Sequence, residues 1–215
     1  TGTTTVTYTT TDGSGNTDAC SFTVTINPAP NGFLTINPAS VCQGSTANVI
    51  FNFTSGVGPF NVVFTDGIST FTANGVQTND FLTVTPPTSV TYSFVSIQDL
   101  AGCVRTSGFG GTVSVVVTPL QPVSFSGLNP VYCEADPTAN LTGNPLGGSF
   151  SGTGVNNLGG GLGTFSPSTA GPTGPYDVTY TYTDVNSCIS STVQQVLVDE
   201  FPIVSSGTGG SECDL

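Results

Sequence analysis

Apolar and polar positions alternate along most of this chain with a period of two, the pattern of strands that bury one face. Val6, Tyr8 and Thr10 share one face, and Phe22, Val24 and Ile26 line a second strand. Between them Asp12-Gly13-Ser14-Gly15-Asn16 reads as a hairpin turn. Further short strands are predicted at 33–36, 47–53, 60–64, 81–84, 90–95 and 113–117. Turns at Ser55-Gly56-Val57-Gly58-Pro59, Asp66-Gly67 and Pro86-Pro87 punctuate them. A second series opens at 120–125 and continues at 141–150, 176–183 and 193–198. Within the glycine-rich 151–163, the run Gly159-Gly160-Gly161 is expected to be a flexible loop at one tip. No stretch approaches the roughly 20 apolar residues of a membrane helix, and no basic segment followed by an apolar core opens the sequence as a secretory leader would.

One phrase recurs. Val6-Thr7-Tyr8, Val90-Thr91-Tyr92 and Val178-Thr179-Tyr180 are each followed by an acidic turn residue (Asp12, Asp99, Asp184), a cysteine (Cys20, Cys103, Cys188) and another strand. The copies lie 84 (6 to 90) and 88 (90 to 178) residues apart, the period of a small domain. Six or seven strands per period is the density of an immunoglobulin-like sandwich. The predicted fold is therefore all-β: tandem immunoglobulin-like β-sandwich repeats with one disulfide per repeat. Residues 1–30 read as the closing strands of a truncated repeat, 31–118 and 119–198 as two complete repeats, and 199–215 as the opening of another. In that last segment Phe201-Pro202-Ile203-Val204 matches Pro122-Val123-Ser124-Phe125, and Cys213 takes the place of Cys133.

The cysteines change the picture most. Cys42 and Cys133 stand early in the two complete repeats, and Cys103 and Cys188 near their ends. The separations of 61 (42 to 103) and 55 (133 to 188) suggest the pairs Cys42–Cys103 and Cys133–Cys188. A loop of that size contributes about 4 kcal/mol in the chain-entropy model. Cys20 and Cys213 then lack a partner within the chain. Zinc binding is disfavoured, because there is no Cys-x-x-Cys pair and no histidine. Disulfides of this kind place the protein in an oxidising, extracellular setting.

Charge excludes whole classes of function. The chain has 13 acidic residues and a single basic one, Arg105, giving a net charge of -12. Nucleic acid and anionic membrane surfaces are poor partners for such a surface, because phosphate binding requires arginine and lysine. Without histidine or lysine the usual general bases, Schiff-base nucleophiles and phosphate clamps are missing as well. A carboxylate pair could in principle hydrolyse glycosides. Asp12, Asp66, Asp99 and Asp184, however, sit where turn chemistry already accounts for them. No catalytic residue is assigned.

Calcium is the sharpest ligand hypothesis. Asp12, Ser14, Asn16 and Asp18 place side-chain oxygens at alternate positions, as calcium loops do, but the bidentate glutamate that closes such a loop is absent. The same residues make an ordinary hairpin turn, and that reading is preferred. Asp199 with Glu200, or Glu134 with Asp136, could hold an ion at a domain junction, against the simpler role of a charged edge that discourages strand-to-strand aggregation. Gly159-Gly160-Gly161 is followed by no lysine and no helix, so it is not a phosphate loop. Tyr180 and Tyr182 could form a sugar-stacking platform, but alternation with Val178 favours a place in the core.

Two sets of residues carry a family resemblance. Thr10-Thr11-Asp12-Gly13-Ser14-Gly15-Asn16-Thr17-Asp18-Ala19-Cys20-Ser21-Phe22-Thr23-Val24-Thr25-Ile26 resembles the end of a hyalin (HYR) repeat. The stretches 141–150, 163–171 and 180–188 are similar to PKD-like and immunoglobulin-like repeats of very long Bacteroidetes cell-surface proteins. Ser55-Gly56-Val57-Gly58-Pro59-Phe60 with 90–103 resembles a second repeat class of the same proteins. The resemblance implies secretion by the type IX route and a place in a gliding or attachment adhesin or another extracellular fibre, with no catalytic residues. Asn52-Phe53-Thr54 and Asn140-Leu141-Thr142 match the glycosylation pattern, accidentally if the protein is bacterial. The expected function is a non-catalytic segment that spaces a binding tip from the cell, its partners being neighbouring repeats or other copies in a fibre. Two alternatives stay open. One is a self-assembling filament subunit in which 201–215 of one copy docks on 1–27 of the next. The other is a glycan-binding accessory module of a secreted hydrolase.

Overall fold

The computed structural model describes residues 2–200, and Cys213 with the rest of 201–215 lies outside them. The described residues are almost entirely strand, as the alternation predicts, and the chain divides into two compact units between Thr118 and Pro119. Among the described residues no helix is long and apolar enough to cross a membrane.

Ahead of the first sandwich stands a two-stranded hairpin, β1 (Gly2–Thr11) with β2 (Thr17–Ile26). Its register places Val6 opposite Phe22 and Tyr8 opposite Cys20. The Tyr8 and Phe22 rings stack 5.9 Å apart, and Tyr8, Phe22, Val24 and Ile26 are exposed.

The sandwich of unit 1 is built from β3 (Asn31–Asn37), β4 (Ser40–Cys42), β5 (Ala47–Ser55), β6 (Phe60–Thr65), β7 (Thr70–Val76), β8 (Phe81–Val84), β9 (Val90–Gln98), β10 (Val104–Arg105) and β11 (Val113–Thr118). One sheet runs β3-β5-β8. The other runs β4-β11-β9-β6-β7, with β10 pairing β9. Alternate residues point inward: Ala47, Val49 and Phe51 from β5, Phe60, Val62 and Phe64 from β6, Val115 and Val117 from β11. This is the immunoglobulin-like sandwich predicted from strand density.

Unit 2 repeats the plan with different filling. Its strands are β12 (Ser124–Ser126), β13 (Val131–Cys133), β14 (Ala139–Asn144), β15 (Ser149–Ser151), β16 (Val155–Gly159), β17 (Leu162–Phe165), β18 (Tyr176–Thr183) and β19 (Ile189–Asp199). One helical turn, α1 (Pro167–Ala170), links β17 to β18. The sheets are β12-β14-β17-β16 and β13-β19-β18-β15. The run Gly159-Gly160-Gly161, expected to be a flexible loop, forms the turn of the β16–β17 hairpin, which Gly160-Gly161 close. Those two residues have φ of 64° and 84°, the paired positive angles of a tight hairpin turn, where glycine is the residue that fits.

Candidate functional site

Four of the residues the sequence singles out, Cys42, Cys103, Cys133 and Cys188, lie at the ends, or poles, of the two sandwiches. The chain enters unit 1 where Asn31 pairs Ser55 and leaves at Thr118, which pairs Cys42 in the parallel β4–β11 ladder. It enters unit 2 where Ser124 pairs Asn144 and leaves at Asp199, which pairs Cys133 in the parallel β13–β19 ladder. The two ladders are built alike. Gln43 donates its amide to Thr118 O (2.8 Å), and Glu134 donates to Asp199 O (3.0 Å). Cys42 and Cys133 thus occupy one equivalent position, beside the departing strand at the C-terminal pole.

Cys103 and Cys188 occupy a second equivalent position at the opposite pole. In unit 1 the Cys103 amide donates to Asp99 Oδ1 (2.8 Å) while Asp99 donates its own amide to Cys103 O (3.0 Å). In unit 2 the Cys188 amide donates to Asp184 Oδ1 (2.8 Å) and Asp184 returns the bond to Cys188 O (3.0 Å). Asp99 is buried and its Oδ2 also accepts the Val57 amide at 3.2 Å, tying this hairpin to the residues that follow β5. These carboxylates are spent on turn amides, the Asx chemistry expected of them.

That geometry corrects the predicted pairings. Cys103 is a free thiol, so the Cys42–Cys103 bond is not formed, whereas Cys42, Cys133 and Cys188 are disulfide-bonded. Cys42 lies beyond the first residue of β9 and Cys103 beyond its last. The nine residues of β9 put about 30 Å between them. Cys133 pairs Asp199 at one end of β19 and Cys188 precedes its other end. The 11 residues of that strand hold them about 35 Å apart. A disulfide requires Cα atoms within about 7 Å, so neither pair can close inside its own sandwich. Separation along the chain carried no information about which pole each cysteine occupies.

Cys20 is also misplaced by the sequence reading. It is a free, exposed cysteine in β2, four residues beyond the position equivalent to Cys103 and Cys188. Asn16 takes that position, its amide donating to Asp12 Oδ1 at 2.9 Å.

The candidate calcium loop is occupied by its own turn. Asp12 Oδ1 also accepts the Ser14 amide (2.8 Å), and its Oδ2 accepts the Asn16 side-chain amide (2.8 Å). These bonds, the Asn16 side chain first, hold the Asp12 carboxyl below its usual range. Asp18 Oδ1 accepts the Ala19 amide at 2.9 Å. Of the junction residues, Asp136 Oδ2 accepts the Cys133 amide at 2.8 Å. Among the described residues no three His, Cys, Asp or Glu side chains come together as a metal site would require.

Tyr180 is fully buried and Tyr182 half-buried against the same core, beside Val178, so the pair forms no stacking platform. The single cation is also engaged. Arg105 donates to Ser107 O (2.8 Å) and Gly108 O (2.6 Å), with its guanidinium 6.0 Å from the Phe109 ring centre.

The HYR domain family matches residues 1–26. No curated protein matches the chain. Among solved structures the chain is similar to a Ca2+-stabilised adhesin that helps an Antarctic bacterium reach out and bind ice. The two are 16% identical over 92% of this chain and 57% of that one, with a TM-score of 0.44. A 1.5-MDa bacterial ice-binding adhesin, studied for its retention at the host cell surface, is 16% identical over 92% of this chain and 74% of its own, with a TM-score of 0.39. Fibronectin(III)-like modules of Clostridium thermocellum CbhA are 12% identical over 78% and 95%, with a TM-score of 0.33. The chain thus spans little more than half of the first of these. The sandwich assignment rests on the strand order within each unit.

Proposed function

We propose that this chain is a non-catalytic segment of a long extracellular adhesin or surface fibre, whose task is to space and to bear tension. One observation carries the reading. In each unit the chain enters at one pole and leaves at the other, and a strand near its start is paired in parallel with its last strand. Tension on the two chain ends draws β4 and β11, or β13 and β19, along their axes in opposite directions. The ladder bonds are then loaded together, whereas an antiparallel hairpin pulled from its open end releases them one at a time.

The scarcity of cationic and nucleophilic side chains supports a structural rather than a chemical role, and the HYR match at 1–26 suits an extracellular repeat protein. Secretion by the type IX route, a gliding role and calcium stiffening of the array are narrower readings, open to genetic and binding tests. The exposed apolar face of the β1–β2 hairpin favours one rival, a filament subunit joined by strand exchange. Its docking segment, 201–215, falls outside the described residues.

Force spectroscopy on the reduced chain, pulled by its ends, tests the proposal. Each sandwich is expected to yield in one cooperative event, at a force several-fold above that which opens the β1–β2 hairpin from its open end. Continuous extension at low force would overturn it. Sedimentation addresses the rival: growth into polymers with concentration would favour the filament, and a persistent monomer would remove it.

A further inference from the structure

We propose that Asn74 is a modification site, at which the chain deamidates through a cyclic imide, and that the Asn61 side chain sets the rate. Water is the only co-reactant, and the chemistry is independent of the mechanical role proposed above.

The sequence holds two Asn-Gly pairs, Asn31-Gly32 and Asn74-Gly75. Such a pair is reactive because glycine, lacking a Cβ, lets its amide nitrogen approach the side-chain carbonyl of the preceding asparagine. The two pairs have opposite surroundings. Gly32 is buried in β3, a Cβ there would lie 2.4 Å from Asn52 O, and Asn31 Oδ1 is itself buried. Asn74 and Gly75 are both exposed near the end of β7, an edge strand of its sheet. A Cβ on Gly75 would meet nothing within 4 Å.

The β6–β7 ladder is broken at this point. Phe60 pairs Val76 and Val62 pairs Ala73, so Asn74 and Gly75 together stand against Asn61 alone. Such a bulge takes backbone groups out of the ladder. The Gly75 amide is held instead by a side chain, donating to Asn61 Oδ1 at 3.0 Å. The Asn74 side chain makes no hydrogen bond among the described residues. The electrophile is therefore free, and the nucleophile is restrained by one bond to an exposed residue. Opening that bond is a local event that unpairs no strand.

With the bond open, the Gly75 nitrogen gives its proton to hydroxide and attacks Cγ of Asn74. The new nitrogen–carbon bond closes the imide, and the side-chain nitrogen takes a proton from water and leaves as ammonia. Water then adds to one of the two imide carbonyls and breaks its bond to nitrogen. Opening at Cγ leaves aspartate, whereas opening at the main-chain carbonyl leaves isoaspartate, with the backbone running through Cβ and Cγ. Either product adds a negative charge to a chain already at -12. Isoaspartate also lengthens β7 between the buried Ala73 and Val76, which loosens the pairing of Val76 with Phe60.

Peptide mapping of the full chain, aged in mildly alkaline buffer, tests the site, with mass spectrometry following amide-to-acid conversion at each asparagine. Trypsin has one arginine to cut at and no lysine, so pepsin is the reagent. In the folded chain Asn74 is expected to convert ahead of Asn31, and in a urea-unfolded sample the two should convert at similar rates. Asn61→Ala is expected to raise the Asn74 rate roughly three- to ten-fold, the worth of one hydrogen bond, and to leave Asn31 unchanged. Asn61→Asp keeps the accepting oxygen and should not accelerate the reaction. Hydrogen exchange at the Gly75 amide should quicken in Asn61→Ala by the same factor, while the other amides of β7 hold their rates. Asn31 converting first in the folded chain, or an Asn74 rate that Asn61→Ala does not raise, overturns the proposal. A general rise in exchange along β7 would mean that the substitution unfolds the strand, and it would overturn the role given to Asn61.

Discussion

Unit 1 fills the space between its sheets with a dense cluster of rings, whereas unit 2 packs fewer rings, Phe125, Phe150 and Tyr180 in one row and Tyr132 against Phe165, beside glycines that make room for Tyr180. In unit 1 Phe64 lies 5.7 Å from Phe51, 5.1 Å from Phe71 and 6.0 Å from Tyr92, centre to centre, and Phe53 stacks on Phe60 at 3.9 Å. In unit 2 the buried Tyr180 hydroxyl donates to Pro145 O and accepts the Gly148 amide at 2.9 Å. A Cβ on Gly143 would come within 2.1 Å of Tyr180 Cζ, and one on Gly148 within 2.5 Å of the same atom. The two units keep the same parallel ladder and the same aspartate-held hairpin. What the fold holds constant is the construction of the poles, and what it leaves free is the filling between them.

The sharpest way to break that comparison is to empty each core in turn. Phe64 is fully buried with three ring partners, so Phe64→Ala should cost unit 1 about 3–5 kcal/mol. Urea unfolding, with probes specific to each unit, should show unit 2 unchanged. Phe165→Ala in unit 2 removes an equally buried ring whose one close aromatic partner is Tyr132 at 5.4 Å, and it should fall at the low end of the same range. A larger loss at Phe165 than at Phe64 would show that unit 1 does not depend on its ring cluster.

Unit 2 is expected to be sensitive in a different place. Tyr180→Phe leaves the Gly148 amide and the Pro145 carbonyl without their buried partner, at a cost of about 1–3 kcal/mol. Gly143→Ala forces a methyl group into the ring and should cost a similar amount, about 1–3 kcal/mol by overpacking. Because the clash is with the ring rather than the hydroxyl, the Gly143→Ala cost should persist in a Tyr180→Phe background. A neutral Gly143→Ala, measured by thermal unfolding, would mean that the sheets can part there and that the glycine cradle is not required.

Much of this frame was legible in the sequence, and the parts that were not have identifiable reasons. Alternation located β5, β6, β8, β9, β11 and β18 because each has one buried face. It missed β4 and β13 because three residues are too few to show a period. Yet those two strands make the parallel ladders and carry Cys42 and Cys133. The repeated Val-Thr-Tyr phrase also misled on register. Tyr92 pairs Val113, five residues before Thr118, and the residue five before Asp199, Gln194, pairs Val178 rather than Tyr180. The phrase is therefore displaced by two residues between the units. A shift of two leaves every side chain on its original face, so the core assignment survived while the equivalence did not. The cysteine pairs failed for a related reason, since spacing along the chain does not report which pole a residue reaches.

The smallest expected effect is local and pH-dependent, and it belongs to unit 1. Asp66 Oδ1 accepts the Ser69 amide at 2.5 Å and the Ile68 amide at 2.9 Å in the turn between β6 and β7. These bonds, Ser69 first, hold its carboxyl below the usual 3.8. Because the folded value is depressed, the turn gains from ionised Asp66 at every pH above the unfolded value. That gain is lost as pH falls through the lower folded value. The side chain is exposed, so the loss should loosen the β6–β7 turn without unfolding the sandwich. An NMR titration from neutral to strongly acidic pH should find the Ser69 and Ile68 amides moving together below pH 3.8. Asp66→Asn should abolish that movement. A transition centred above 3.8, or one that survives the substitution, would assign the acid response to another group and leave the turn held by its backbone alone.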